Sequence, residues 1–120
     1  MSSERGSVEP QRADNDFHIE QRQDPGGYLR LILVGELDLS TVPKFTAALK
    51  QLKMESERVR LDLSRLEFLD SSGVNALVVG LRDARNDGWD LEVDRRLSSQ
   101  VERVVTVSGV GPFLWPSNGD

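Results

Sequence analysis

At 120 residues with no cysteine, the chain has room for one packed domain held without disulfides, and its composition excludes thiol catalysis and thiolate metal sites. With 20 acidic against 15 basic residues, its formal charge of -5 disfavours nucleic-acid phosphates and anionic membranes as partners. No apolar run approaches the ~20 residues that span a bilayer, and the first residues form no apolar signal segment, so a cytoplasmic protein is expected.

The stretch 1–15 holds only Met1, Val8 and Ala13 as apolar residues, too few to offset the entropy of ordering it, and is expected to be a disordered tail. A single domain over 16–114 and a frayed terminus over 115–120 follow. Phe17 and Ile19 alternate with His18 and Glu20 as a first strand, and Asp24-Pro25-Gly26-Gly27 is a turn signal. The second strand, Tyr28 to Val34, is apolar on both pleat faces except at Arg30, which places it inside the sheet. The two strands should form a hairpin.

Gly35-Glu36-Leu37-Asp38 closes the second strand, and Ser40 or Thr41 is positioned to cap a helix with Pro43 in its first turn and Phe45, Ala48, Leu49 and Leu52 on its buried face. Val59, Leu61 and Leu63 alternate with Arg60, Asp62 and Ser64 as a third strand. After Leu69-Asp70-Ser71-Ser72-Gly73 the spacing turns helical, with Val74, Leu77, Val78 and Leu81 on one stripe, until Asn86-Asp87-Gly88 stops it. Trp89, Leu91 and Val93 mark a fourth strand. Ser99-Gln100-Val101-Glu102 reads as a capping box for a third helix with Val101, Val104 and Val105 inward, and Val110 to Leu114 as a last short strand or turn.

The order is β-β-α-β-α-β-α, with right-handed crossovers linking parallel strands. Because several strands expose charge on one pleat face, helices should cover only the other. The expected fold is α/β in two layers, a mixed four- to five-stranded sheet with helices on one face. Strand direction then brings Glu36 to Ser40, Asp70 to Gly73 and Asp94 to Ser98 to one edge, where sites in such sheets gather. Asp38, Asp70, Arg95 and Arg96 share that rim.

Asp70-Ser71-Ser72-Gly73 reads in the first place as a helix cap. One cap needs one oxygen, however. If Ser72 turns back onto the helix amides, the Ser71 hydroxyl is left over on an exposed loop. A catalytic triad is disfavoured, because there is no Gly-x-Ser-x-Gly elbow and the single histidine, His18, lies on the first strand as a solvated residue. Asp38 and Asp70 have no further ligand at metal spacing, Gly109-Val110-Gly111 is no dinucleotide fingerprint, and no cofactor is expected. Arg95-Arg96 reads as a solvated pair, or, in the minority reading, as a contact for an anion.

Gly35-Glu36-Leu37-Asp38, Leu61-Asp62-Leu63-Ser64, Leu66 through Val74 and the ending Val107-Ser108-Gly109-Val110 together resemble the STAS domain of bacterial anti-sigma factor antagonists. The resemblance spans about Phe17 to Leu114. It implies phosphorylation at Ser71 by a partner anti-sigma factor that is also a serine kinase. The unphosphorylated form would bind that partner and free a sigma factor, and a serine phosphatase would reset it. Carried over by motif position, the partner surface comprises Glu36, Asp38, Asp70, Ser72, Gly73, Val74 and Asn75. Asn75 departs from the small or apolar residue usual there. The implied protein is a binding protein and not an enzyme; an adaptor subunit of a stress-signalling assembly or lipid-transport ATPase, or a small nucleotide-binding protein, is the alternative.

Overall fold

The computed structural model describes residues 17–116; the predicted tail over 1–15 lies outside them. β1 (Phe17–Gln23) and β2 (Tyr28–Leu37) form the expected antiparallel hairpin, with Phe17 opposite Gly35 and Gln23 opposite Leu29. Then come α1 (Val42–Met54), β3 (Arg58–Leu63), β4 (Leu66–Leu69), α2 (Ser71–Asp87), β5 (Leu91–Leu97), α3 (Ser99–Ser108) and α4 (Gly111–Leu114). The sheet order is β1-β2-β3-β5, with β4 also on β2. The fold is α/β, a mixed sheet of five strands with its helices packed on one face.

β2 is long enough to serve two parallel partners in turn. β3 pairs with Tyr28 to Ile32, and β4 takes over at Gly35 to Leu37 after a bulge between Gly35 and Glu36. Gly35 adopts φ 103°, a backbone state that a side chain would oppose. Leu29, Leu31 and Leu33 of β2 project into one core with Phe45 and Leu49 of α1, Leu77 and Leu81 of α2, and Val101 and Val105 of α3. Each fully buried Leu or Phe there contributes roughly 1.5–3 kcal/mol relative to exposure.

The structure differs from the expected elements at several places. β4 is a strand the alternation does not reveal, because Leu66 and Leu69 are buried while Glu67 and Phe68 are both exposed. The segment from Val110 to Leu114 is neither strand nor turn but a single helical turn, α4, with Pro112 at its start. α3 is capped one residue early, by Ser98, whose hydroxyl accepts from the Val101 amide at 3.2 Å, so Ser99 and Glu102 form no capping box. Arg95 and Arg96 lie within β5 and not in a loop after it.

The face without helices is charged, as the alternation predicted, yet one of its charges is withdrawn from water. Arg30 is 5% exposed. Its Nε donates to Asp24 at 2.7 Å and its Nη1 to both Asp62 and Asp94 at 3.0 Å, tying the hairpin turn, β3 and β5 to the centre of β2. Burial works against the arginine's charge, but the three carboxylates outweigh it and raise its pKa. For Asp62, burial opposes ionisation, and hydrogen bonds from Ser64 and Arg30 reverse the balance, so its pKa is lowered. Around this cluster Arg58 pairs with Asp90 and Arg60 with Glu92, and both guanidinium groups lie over the Tyr28 ring, at 4.2 and 4.4 Å.

Candidate partner-binding site

The carboxyl ends of β2 and β4 meet where the direction of the strands placed them. The Asp70 amide donates to the Leu37 carbonyl at 3.3 Å, which joins the segment leading into α2 to the end of β2. Gly73 presses the first turn of α2 against the same place: a Cβ there would stand 2.5 Å from the Leu37 carbonyl oxygen and 2.6 Å from Leu69 Cδ1. No side chain fits without displacing main chain. This close approach is the physical reason for a glycine at that position, and it fixes Ser71 beside the β2–α1 loop.

Asp70, and not Ser72, caps the helix. Its carboxylate accepts from the Gly73 amide at 2.9 Å, satisfying one of the unpaired amides of the first turn. Two serines are thereby released from capping. Ser71 is exposed and its hydroxyl has no hydrogen-bond partner among the described residues. Ser72 is half-buried on the side facing α1, in an apolar groove shared with Val42, Leu49 and Trp89. Asn75, exposed, borders the grooves on both sides of α2.

Asp38 is turned inward to its own loop. Its Oδ1 accepts from the Ser40 hydroxyl at 2.7 Å, the Ser40 amide at 3.0 Å and the Thr41 amide at 3.2 Å. The Ser40 hydroxyl is the chief reason that its pKa is lowered. Thr41 occupies the cap position of α1 but caps with no side-chain bond; instead its hydroxyl donates to the Glu36 carbonyl at 2.8 Å and accepts from the Asp38 amide at 2.9 Å. The expected Ser40 or Thr41 cap is therefore replaced by a loop closed on Asp38. Glu36 lies opposite Phe68 in the β2–β4 ladder.

Two features of this edge escaped the sequence. Leu39, just past the end of β2, and Phe68, on the strand that leads into α2, are 76% and 47% exposed. Beside Ser71, α2 and α3 leave an open groove of about 520 Å³ lined by Leu69, Val74, Val78, Val104 and Val107, with Arg103 on its far side. Neither Arg95 nor Arg96 borders that groove. Arg95 lies over the Trp115 ring at 5.4 Å, and Arg96 reaches Asp94 at 3.4 Å. Trp115, at the start of the stretch expected to fray, donates its indole N–H to the Val93 carbonyl at 2.8 Å. Among the described residues no cluster of side chains is arranged to hold a metal, and no helix is long and apolar enough to cross a membrane.

The fold is a two-layer α/β domain in which a helix capped by Asp70 presents an exposed serine at the edge of the sheet. A family model described as "Mlab, STAS domain" matches residues 21–115, and the chain belongs to the STAS domain family. Among curated proteins it is similar to the anti-sigma-B factor antagonist of Listeria monocytogenes, 25% identical over 100 residues that cover 82% of this chain and 87% of that one. Among solved structures it is similar to an anti-sigma factor antagonist from Mycobacterium paratuberculosis, with a TM-score of 0.68 at 21% identity, covering 87% and 89% of the two chains. It is also similar to the Bacillus protein SpoIIAA in its phosphorylated form, with a TM-score of 0.58 at 22% identity over 80% and 87% of the two chains. These structural likenesses establish the fold.

Proposed function

We propose that this protein is an anti-sigma factor antagonist switched by phosphorylation of Ser71. In its unmodified form it binds a cognate anti-sigma factor with serine kinase activity and releases a sigma factor for transcription; phosphorylation of Ser71 ends that binding, and a serine phosphatase restores it. The protein itself catalyses nothing in this cycle and acts in the cytoplasm. The observation that carries the reading is the Ser71 hydroxyl, exposed and spared from capping by Asp70, at the mouth of a groove lined by Leu69, Val74, Val78, Val104 and Val107. The names of the relatives support the partner class, and a SpoIIAA structure in phosphorylated form supports the chemistry.

Partner contacts are assigned to Glu36, Asp38, Asp70, Ser72, Gly73, Val74 and Asn75. Gly73 contributes by its missing side chain, which lets Ser71 stand where it does. A phosphate adds roughly -1.5 to -2 charges at pH 7 in the middle of this surface. The helix end favours that charge, so the fold is expected to stay as it is and the interface to be lost. Incubating the protein with a kinase-active anti-sigma factor and ATP, then mapping the phosphate by mass spectrometry, tests the reading: modification at Ser71 supports it, and no modification there argues for the second reading. That second reading, a STAS adaptor subunit of another assembly, is left room by the description of the matching family model, which reads "Mlab, STAS domain" and does not name the antagonists.

A further inference from the structure

Every other described arginine meets a carboxylate, a main-chain carbonyl or an aromatic ring. Arg103 meets none among the described residues, and it borders the groove that opens beside Ser71. Two hydrogen bonds set the helices on either side of that groove. At one end the Ser98 hydroxyl, capping α3, donates to the carbonyl of Leu66 on β4, the strand that leads into α2. At the other, Arg85 near the end of α2 donates to the Phe113 carbonyl of α4, the turn that follows α3. Arg103, in the first half of α3, lines the groove together with Asp70, Ser71 and Val74 at the start of α2.

We infer that Arg103 is a phosphate latch: once Ser71 is phosphorylated, its guanidinium crosses the groove and holds the phosphate. This deepens the proposed switch and rests on Ser71 as the modified residue. Guanidinium and phosphate match in geometry, two N–H donors against two oxygens, and Arg103 gives up no existing bond to make the pair. The groove walls include apolar Leu69, Val74 and Val104, but the groove is open to water, so the attraction is partly screened. Asp70, at the start of α2, is the charge that opposes the phosphate there, and Arg103 compensates for it. The latch also lays the phosphate across the apolar groove that a partner would otherwise enter, so the modified form is withdrawn from binding as well as recharged.

The test uses the full chain with phosphoserine installed at position 71 during translation, so that no kinase is needed. Phosphorus NMR then follows the second ionisation of the phosphate in the parent and in Arg103→Gln, Arg103→Lys and Arg95→Gln. Loss of the nearby positive charge should raise that pKa by about half a unit, less than the ~1–3 units a close arginine exerts on a carboxylate, because the site is open to solvent. Arg103→Lys should recover part of the shift, and Arg95→Gln should leave it unchanged. If Arg103→Gln titrates as the parent does, or if Arg95→Gln shifts the phosphate as much, the latch is overturned. Either result leaves the switch standing. A phosphoserine protein that keeps full affinity for the anti-sigma factor would instead remove the switch, whatever the titration shows.

Discussion

On the open face of the sheet Arg30 is buried with three carboxylates around it, whereas near the carboxyl end of the same strand Ser71 keeps a free hydroxyl at the mouth of an apolar groove, and Leu39 and Phe68 are exposed. Both places concentrate polar side chains on β2 and its neighbours. In the first, the buried arginine and the carboxylates around it are bonded to one another within the molecule. In the second, the polar groups required for folding are satisfied by Asp70, Asp38 and Thr41, and what remains is a surplus: one hydroxyl, two large apolar side chains and one arginine across a groove. The contrast teaches where to look for function, since a satisfied cluster holds strands together and an unsatisfied one waits for something outside the chain.

Removing Arg30 should have the largest effect. Arg30→Ala leaves Asp24, Asp62 and Asp94 facing one another with no cation between them, and breaking a buried charge cluster in this way costs about 3–5 kcal/mol. Denaturant unfolding should show it, and a loss under 1 kcal/mol would mean the cluster is ornamental. Gly73→Ala comes next, at roughly 1–3 kcal/mol, because the new methyl group must push against the Leu37 carbonyl. It should also weaken partner binding, since Ser71 moves with the helix; a stable variant with full binding would show that the close approach does not position the serine.

Acid sharpens the comparison from the other side. Asp62 and Asp94 both have folded pKa values below the ordinary 3.8: burial raises each, while hydrogen bonds, from Ser64 and Arg30 for Asp62 and from Arg96 and Arg30 for Asp94, prevail. A carboxylate with a depressed folded pKa gives stability that is fully present above its unfolded pKa and is lost as pH falls through the folded one. Stability should therefore hold down to the region of pH 3.8 and fall below it, and Arg30→Ala should flatten that fall. A parent and variant with the same acid profile would count against the cluster as its source. Leu39→Ser should have the smallest effect on folding, within about 0.5 kcal/mol for an exposed position, while lowering partner affinity by about tenfold or more. Unchanged affinity would remove Leu39 from the interface.

Much of this layout was legible in the chain. The strands and helices followed the period of Leu, Val and Phe, and strand direction alone brought Asp38 and Asp70 to one edge. What could not be seen depended on contacts far apart in sequence. The carboxylates that bury Arg30 come from the hairpin turn, β3 and β5, and no local pattern pairs them. β4 hid because Phe68 points out where alternation would send it in, an anomaly that in hindsight marks the exposed rim. Ser98 and Ser99 are chemically equal as caps, and only the path of β5 decides between them. Arg103 drew no attention on a solvated helix face, and that it shares a groove with Ser71 depends on how α3 is set against β4 and α2. Arg95 and Arg96, which the sequence set on that rim, are used elsewhere by Trp115 and Asp94.

The decisive measurement is the affinity of the anti-sigma factor captured by the unmodified protein, determined by calorimetry for the parent, Ser71→Ala and Ser71→Asp. A free hydroxyl on a surface that charge disables predicts that parent and Ser71→Ala bind alike and that Ser71→Asp binds at least about tenfold more weakly, a difference of about 1.4 kcal/mol. Equal binding by Ser71→Ala and Ser71→Asp would contradict it.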